Sequence, residues 1–430
     1  MKAIAVIGAN YGDEGKGLTI DYLAREQAAK GQRPLIARFN GGAQAGHTVV
    51  TPDGAKHVFH HVGAGSFVLG ARTYLSSKFI VNPYVLGKEL NELSQHIGTP
   101  VLLAHPQCYV TTIFDMALNS LAELSRGQER HGSCGMGVNE TVTRNLARPA
   151  YQLKLTNVAK QAPEELAALL ELIVTDWVPI RLETLGLTRA DVAKHDVYAS
   201  VLDAKNIDFL AVALQLKELI KPLIILDKES LADLLLSLEP TQEVLLEGAQ
   251  GLALDEQLGA FPYVTRSITG LPAAAAVAAF ELGALDIQPL YVTRAYLTRH
   301  GAGPMPFEGE PITDKLLSDA TNVENQWQGK LRYAPLNIQQ LKTMITADLL
   351  RTSETSPAVT MKGATIARLK LMVTCLDQLG TTVNYVTEDG SMTTASTDNF
   401  LIMLARELGR EVELSYVSFG PTARHVKAWL

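Results

Sequence analysis

The residues best suited to chemistry lie near the N-terminus, in Gly8-Ala9-Asn10-Tyr11-Gly12-Asp13-Glu14-Gly15-Lys16-Gly17-Leu18-Thr19. A glycine-rich turn between a strand and a helix leaves backbone N–H groups and a helix N-terminus facing any nearby anion. Lys16 adds a point charge. Neither standard phosphate motif is present. Asn10 stands where the Walker pattern needs its first glycine, and Gly17 follows the lysine where Ser or Thr would hold Mg²⁺. The dinucleotide pattern GxGxxG also fails. Asp13 is the unusual element, because phosphate repels a carboxylate unless that carboxylate has a task. It could ligate Mg²⁺ or take a proton from a substrate. The alternative is a tight turn in which Asp13 only caps the helix.

A second glycine-rich stretch, Asn40-Gly41-Gly42-Ala43-Gln44-Ala45-Gly46-His47-Thr48, follows the second apolar run. Loops at the ends of parallel strands meet at one edge of a sheet, where ligands bind. His47 is therefore expected to face Asp13 across a small ligand, an acid–base arrangement suited to proton-coupled phosphoryl transfer. His57, His60 and His61 form the one histidine cluster. On a strand, His57 and His61 share a face and His60 takes the other, and a solvated or packed strand is expected there rather than a metal site.

The elements that must position these loops are short apolar runs alternating with helical patterns. Strands are expected at Ala3–Gly8, Pro34–Arg38, Pro100–Leu103, Glu243–Leu246, Leu290–Leu297, Leu371–Cys375, Val383–Val386 and Glu413–Ser418. Continuous apolar runs rich in β-branched residues suit a parallel sheet buried on both faces. Helices are expected at Gly15–Gly31, Pro163–Leu185 (kinked or split at Pro179), Asp203–Leu219, Ser230–Leu238 and Asp398–Leu408. The fold class is thus α/β. It has a large, central, mostly parallel sheet flanked by helices, P-loop-like at its first turn, and a mainly helical subdomain over 149–239 within one unit spanning 1–430.

Composition bounds the rest. Lys plus Arg number 38 and Asp plus Glu 45, for a formal charge of −7. That balance argues against a general nucleic-acid or anionic-membrane binder. The three cysteines, Cys108, Cys134 and Cys375, form no CxxC pair, so neither a disulfide framework nor a cysteine zinc site is expected. The apolar start Met1–Gly8 is short for a signal-peptide core, and no apolar stretch approaches membrane-spanning length. A cytoplasmic protein is expected.

The two loops together resemble the adenylosuccinate synthetase family. Gly12-Asp13-Glu14-Gly15-Lys16-Gly17 and Ala45-Gly46-His47-Thr48 are followed, in order, by four further segments. Glu247-Gly248-Ala249-Gln250-Gly251 looks like the family's EGAQG. Pro262-Tyr263-Val264-Thr265 is similar to PYVT. Thr298-Arg299-His300-Gly301-Ala302-Gly303-Pro304 resembles TRVGAGP, and Ser418-Phe419-Gly420-Pro421 resembles S-x-G-P.

The resemblance implies a GTP-dependent ligase that joins IMP and L-aspartate into adenylosuccinate, GDP and phosphate. It implies Asp13, His47, Lys16 and Gln250 as catalytic residues, and Mg²⁺ on Asp13 and the Gly46 carbonyl. GTP contacts would come from Gly12 to Gly17, from Gly46, His47 and Thr48, and from Arg332, Cys375, Leu376, Asp377, Ser418, Phe419 and Gly420. IMP contacts would come from Asp13, Lys16, Gln44, Ala45, Gly46 and His47, with Cys134, Arg148, Gln250, Thr265 and Lys330. Gln328, Gly329, Lys330 and Arg332 would hold aspartate. A homodimer with a shared site is implied, Arg148 reaching the partner's IMP site and Arg144 competing for that role.

Several segments depart from the family. Its GTTGRGIGP appears as Gly132-Ser133-Cys134-Gly135-Met136-Gly137-Val138-Asn139-Glu140. Cys134 is a poorer donor than a hydroxyl. The aspartate loop ending in TGRRRRTG becomes Gln326-Trp327-Gln328-Gly329-Lys330-Leu331-Arg332-Tyr333, with an ammonium in place of one guanidinium. The guanine-reading TKLD becomes Thr374-Cys375-Leu376-Asp377, where Asp377 keeps the carboxylate that would accept from guanine N1–H and its amino group. Leu18 and Ala43 replace a usual lysine and histidine. Two alternatives stay open: a divergent paralogue with another amine or purine nucleotide, and a non-catalytic nucleotide-binding protein.

Overall fold

A strand that is apolar on both sides must be covered on both sides, and the first strand does this for the whole molecule. The computed structural model describes residues 1–239, 241–315, 317, 324, 327–355 and 363–429. In it, Lys2–Gly8 runs through the middle of an eleven-stranded sheet. Successive side chains leave a strand on opposite faces. Ala3, Ala5 and Ile7 therefore enter one apolar cluster, while Val6 enters the other and Ile4 packs against it.

From one edge the sheet reads Val426–Ala428, Val412–Ser418, Leu369–Thr374, Asp286–Arg294, Lys2–Gly8, Glu243–Gly251, Leu35–Arg38, Arg72–Leu75, Val101–Ala104 and Leu223–Ile225. Thr365–Ile366 adds to Asp286–Arg294. The pairings are parallel except for Val426–Ala428, which turns back along Val412–Ser418. The expected α/β architecture is the one observed.

Some expected elements change place. The run Leu290–Leu297 is two strands, because the chain leaves the central sheet after Arg294 and resumes at Tyr296–Arg299. That second piece joins a four-stranded sheet with Arg332–Asn337, Val383–Val386 and Met392–Ala395. Val383–Val386 is thus a strand, but not one of the central sheet. Glu243–Leu246 continues to Gly251, so the EGAQG segment is itself strand.

Helix Pro163–Leu185 is interrupted, but upstream of Pro179 rather than at it. Ile173–Trp177 is a π-helical turn between Pro163–Leu172 and Val178–Thr184. Pro179 has no N–H to donate backward, and a wider turn just upstream absorbs the lost bond. Within 149–239, helices such as Phe209–Leu219 and Lys228–Leu236 flank Leu223–Ile225, which pairs with Val101–Ala104. The helical stretch is therefore stitched into the sheet edge. No helix of the described residues is long and apolar enough to cross a membrane.

The loops that follow Lys2–Gly8, Leu35–Arg38, Glu243–Gly251, Asp286–Arg294 and Leu369–Thr374 all leave from carboxyl ends of parallel strands. In open α/β sheets that edge is where ligands bind.

Candidate active site

The first loop is built by left-handed turns. Gly12, Asp13 and Gly15 have φ of 92°, 56° and 94°. Glycine adopts such angles freely, whereas Asp13 carries strain that its neighbours must hold. Helix Lys16–Ala29 starts directly after Gly15, with no side-chain cap, so Asp13 is not a helix-capping residue. The Asp13 main-chain oxygen accepts from Arg294 Nε, and its carboxylate Oδ2 lies 3.0 Å from His300 Nε2. Burial would raise the Asp13 pKa. The hydrogen bond and charge of His300, then Arg294 and Lys16, outweigh that and hold it below the usual carboxylate value.

Glu14 behaves differently from Asp13. Its buried carboxylate accepts from the N–H groups of Asn10 and Gly12, each at 2.9 Å, and pairs with Lys16 Nζ at 3.0 Å. Loop N–H groups expected to face a phosphate are thus given to the chain's own anion. Thr374 Oγ1 donates to the Glu14 carbonyl at 2.7 Å and ties the loop to the strand Leu369–Thr374.

His47 begins the strand His47–Val50, and its Nδ1 lies 2.5 Å from Glu247 Oε1. The other Glu247 oxygen accepts from Ala64 N–H at 3.0 Å. Burial pushes the His47 imidazole down to about 4, although the Glu247 bond and charge pull upward. Glu247 itself stays below the usual range, because Arg38 and His47 outweigh its burial. The pair fixes which His47 nitrogen carries the proton and leaves Nε2 to face outward.

These loops border one cavity of about 980 Å³. Asp13, Lys16, His47 and Gln250 all line it, together with Gln44, Ala45, Gly46, Thr48, Cys134 and Thr265. Cys375, Asp377 and Gly420 line it as well. The site can therefore offer a carboxylate base and an oriented imidazole, and an anion would have to draw Lys16 from Glu14.

Other expected contacts are not brought there. Arg332 is committed elsewhere: it forms a two-point salt bridge to Glu308, and Nη1 donates to the carbonyls of Gly301 and Gly303 at 2.9 Å. A guanidinium with its fork already filled cannot also clasp a substrate carboxylate. Lys330 is exposed and Gly329 lies beside it outside the cavity lining, whereas Gln328 lines the cavity and donates to the Gly132 carbonyl at 3.0 Å. Gln326 lies outside the described residues. Leu376 and Ser418 are buried, the latter donating to the Gly420 carbonyl, while exposed Phe419 sits under Lys427. Arg144 cannot reach a partner subunit. It is wholly buried, paired at two points with Asp115 and donating to the carbonyls of Tyr151 and Val110. Arg148 is exposed and lies over the Tyr151 ring.

In the histidine cluster His57 and His61 are buried while His60 lines the cavity, and the strand ends at Phe59, before His60 and His61. His61 is buried, with Nδ1 on Glu89 and Nε2 accepting from Asn82 N–H. His60 Nδ1 faces the carbonyls of Ala43 and Ala45, so it braces the loop that carries His47. Glu247, Arg294 and His300 were given no role from sequence. A charged residue at the end of an apolar strand run was the available signal for Glu247 and Arg294. For His300 it was a histidine among glycines, the same signal that singled out His47.

Fold and site define an α/β protein whose glycine-rich strand-end loops border one polar cavity. Comparison narrows this. The sequence model of the family described as adenylosuccinate synthetase matches residues 5–346. This chain belongs to the adenylosuccinate synthetase family. It is 32% identical to an adenylosuccinate synthetase of Rhodococcus opacus over 314 residues, which are 72% of this chain and 66% of that protein. It is 33% identical to that of Teredinibacter turnerae over 311 residues, 71% of this chain and 65% of the relative. These matches thus span just under two thirds of the relatives' length. Among solved structures, fully ligated adenylosuccinate synthetase from Plasmodium falciparum superposes with a TM-score of 0.70 at 18% identity, covering 100% of both chains. A succinoaminodeoxyadenylate synthetase of cyanophage S-2L, bound to dGMP and dATP, gives 0.60 at 15% identity, covering 99% of this chain and 95% of that one. At such identities these likenesses concern the fold.

Proposed function

We propose that the protein is a GTP-dependent ligase that joins IMP and L-aspartate into adenylosuccinate, releasing GDP and phosphate. One observation carries the reading: Asp13, Lys16, His47 and Gln250, from three separate strand ends, border a single cavity. Asp13, kept ionised, takes the proton from N1 of the hypoxanthine ring. The ring O6 then attacks the γ-phosphorus of GTP. Lys16 leaves Glu14 and follows the phosphate, whose charge it offsets. His47, held by Glu247, can donate from Nε2 to the phosphoryl oxygens once the anion's charge has drawn a second proton onto the ring. The resulting 6-phosphoryl-IMP loses phosphate when the aspartate amine adds at C6. Gln250 orients the base and Thr265 the nucleotide phosphate.

The Asp13 carboxylate and the Gly46 carbonyl are hard oxygen donors on one cavity wall, and this donor set suits Mg²⁺ that takes its remaining ligands from phosphate and water. Bound there, Mg²⁺ would neutralise charge on the transferring group. Asp377 would read guanine. An active homodimer in the cytoplasm, with exposed Arg148 serving the neighbouring site, and a single folding unit over 1–430 complete the reading.

Phosphate release with GTP and IMP, measured with and without L-aspartate, tests it. Absence of aspartate-dependent phosphate and of adenylosuccinate refutes it. A second reading is the same chemistry on another purine nucleotide or amine. It is favoured by Arg332, which is closed on Glu308 rather than open to a dicarboxylate. The cyanophage enzyme bound to dGMP and dATP shows which arms the assay needs: dGMP as acceptor, dATP as donor, and a panel of amines.

A further inference from the structure

We propose that His300 is a positioning residue that fixes the Asp13 carboxylate in the orientation its reaction needs. His300 Nε2 lies 3.0 Å from Asp13 Oδ2. In such a pair the carboxylate oxygen accepts and the imidazole N–H donates.

The need for such a residue lies in the Asp13 backbone. At φ 56° the residue sits in a left-handed turn between two glycines' turns, and its side chain projects from a strained, short loop. Arg294 secures the main-chain oxygen of Asp13. Without His300, the carboxylate would keep free rotation about χ2. With Oδ2 held, Oδ1 is the oxygen left for the ligands of this site, the substrate N–H and Mg²⁺ alike. Asp13 keeps 28% of its side-chain surface exposed toward the cavity, and His300 keeps 21%.

The loop that presents His300 is itself braced. Arg299 Nε donates to the Ala302 carbonyl at 3.1 Å and Nη1 to that of Pro304 at 2.7 Å. Arg332 donates to the carbonyls of Gly301 and Gly303. A Cβ on Gly301 would lie 3.0 Å from the Gly132 Cα, so the loop also abuts the segment carrying Cys134. Arg332, set aside above as a substrate contact, thereby gains a place in the arrangement: with Glu308 it holds the loop that holds His300.

The inference rests on the ligase reading for its catalytic consequence, but the pairing can be tested apart from turnover. His300→Gln keeps an N–H donor, and His300→Val removes it. Expected is a fall in kcat of about 10- to 100-fold for the valine variant, the scale of a misplaced catalytic group. KM for GTP should hold, and the glutamine variant should recover most of the rate. The double variant Asp13→Asn with His300→Val should be no slower than Asp13→Asn alone, because a residue acting through Asp13 has nothing left to act on. A general structural loss would instead add to it. In selectively ¹⁵N-histidine-labelled protein, the His300 signal, assigned by its loss in His300→Gln, should show a protonated Nε2 that shifts in Asp13→Ala. An unresponsive His300 signal would overturn the pairing. So would full kcat in a folded His300→Val protein, or additive losses in the double variant. A responsive signal in a protein that makes no adenylosuccinate would overturn the ligase reading and leave the pairing standing.

Discussion

Replacing Glu247 by glutamine should expose how far the imidazole of His47 depends on its buried partner. The two carboxylate oxygens have separate tasks, one on His47 Nδ1 and one on the Ala64 N–H. A carboxamide has one oxygen. If that oxygen stays on Ala64, the NH₂ group faces Nδ1 and forces the hydrogen of His47 onto Nε2. If it turns to His47, two donors face each other at Ala64. Either way a charge-assisted bond between two buried side chains is lost, worth about 1.5–3 kcal/mol. At about 1.4 kcal/mol per decade, a loss confined to the transition state slows turnover about 10- to 150-fold. The assay is aspartate-dependent phosphate release at saturating GTP and IMP, with nucleotide affinity measured alongside. Glu247 also lies opposite Arg38 in the sheet register, so thermal unfolding must confirm that the variant is folded. Turnover within twofold of the unmodified protein, in a folded variant, would refute the argument that Glu247 sets the state of His47.

Asp13→Asn should keep the loop's shape while removing the base, and kcat should fall by at least ~10²-fold in the same assay. Arg144→Met should destabilise the fold by about 3–5 kcal/mol in denaturant titrations, since it strands Asp115 as a buried, unpaired charge, whereas Arg148→Leu should leave stability unchanged. Mixing Asp13→Asn chains with Arg148→Leu chains should restore activity if Arg148 completes a neighbouring site; hybrid dimers without rescue would count against sharing. Asp377→Asn should erode the preference for GTP over ATP, read as the ratio of kcat/KM values, because one acceptor oxygen becomes a donor.

The sequence by itself determined the parts that local chemistry dictates. Continuous apolar runs require a sheet covered on both faces, and glycines after those runs permit a backbone that turns tightly at the strand ends. Asp13 and Lys16 stood out as a carboxylate and an ammonium in a glycine-rich turn and His47 as a reactive type among small residues, and the fold brings all three to one cavity. The ordered motifs then pointed to the family, as the match over residues 5–346 shows. Tertiary structure decided which charges are free. Arg332 and Arg144 look in sequence like cations awaiting a ligand, yet their forks are filled by Glu308 and by Asp115, which lie 24 and 29 residues away in the chain. Glu247 and His47 meet across 200 residues, His300 and Asp13 across a still longer stretch of chain, and no local pattern encodes such a contact. Those partnerships depend on which strand ends the sheet order places side by side. A hydrogen bond is a property of two positions in space, and only the folded chain fixes both.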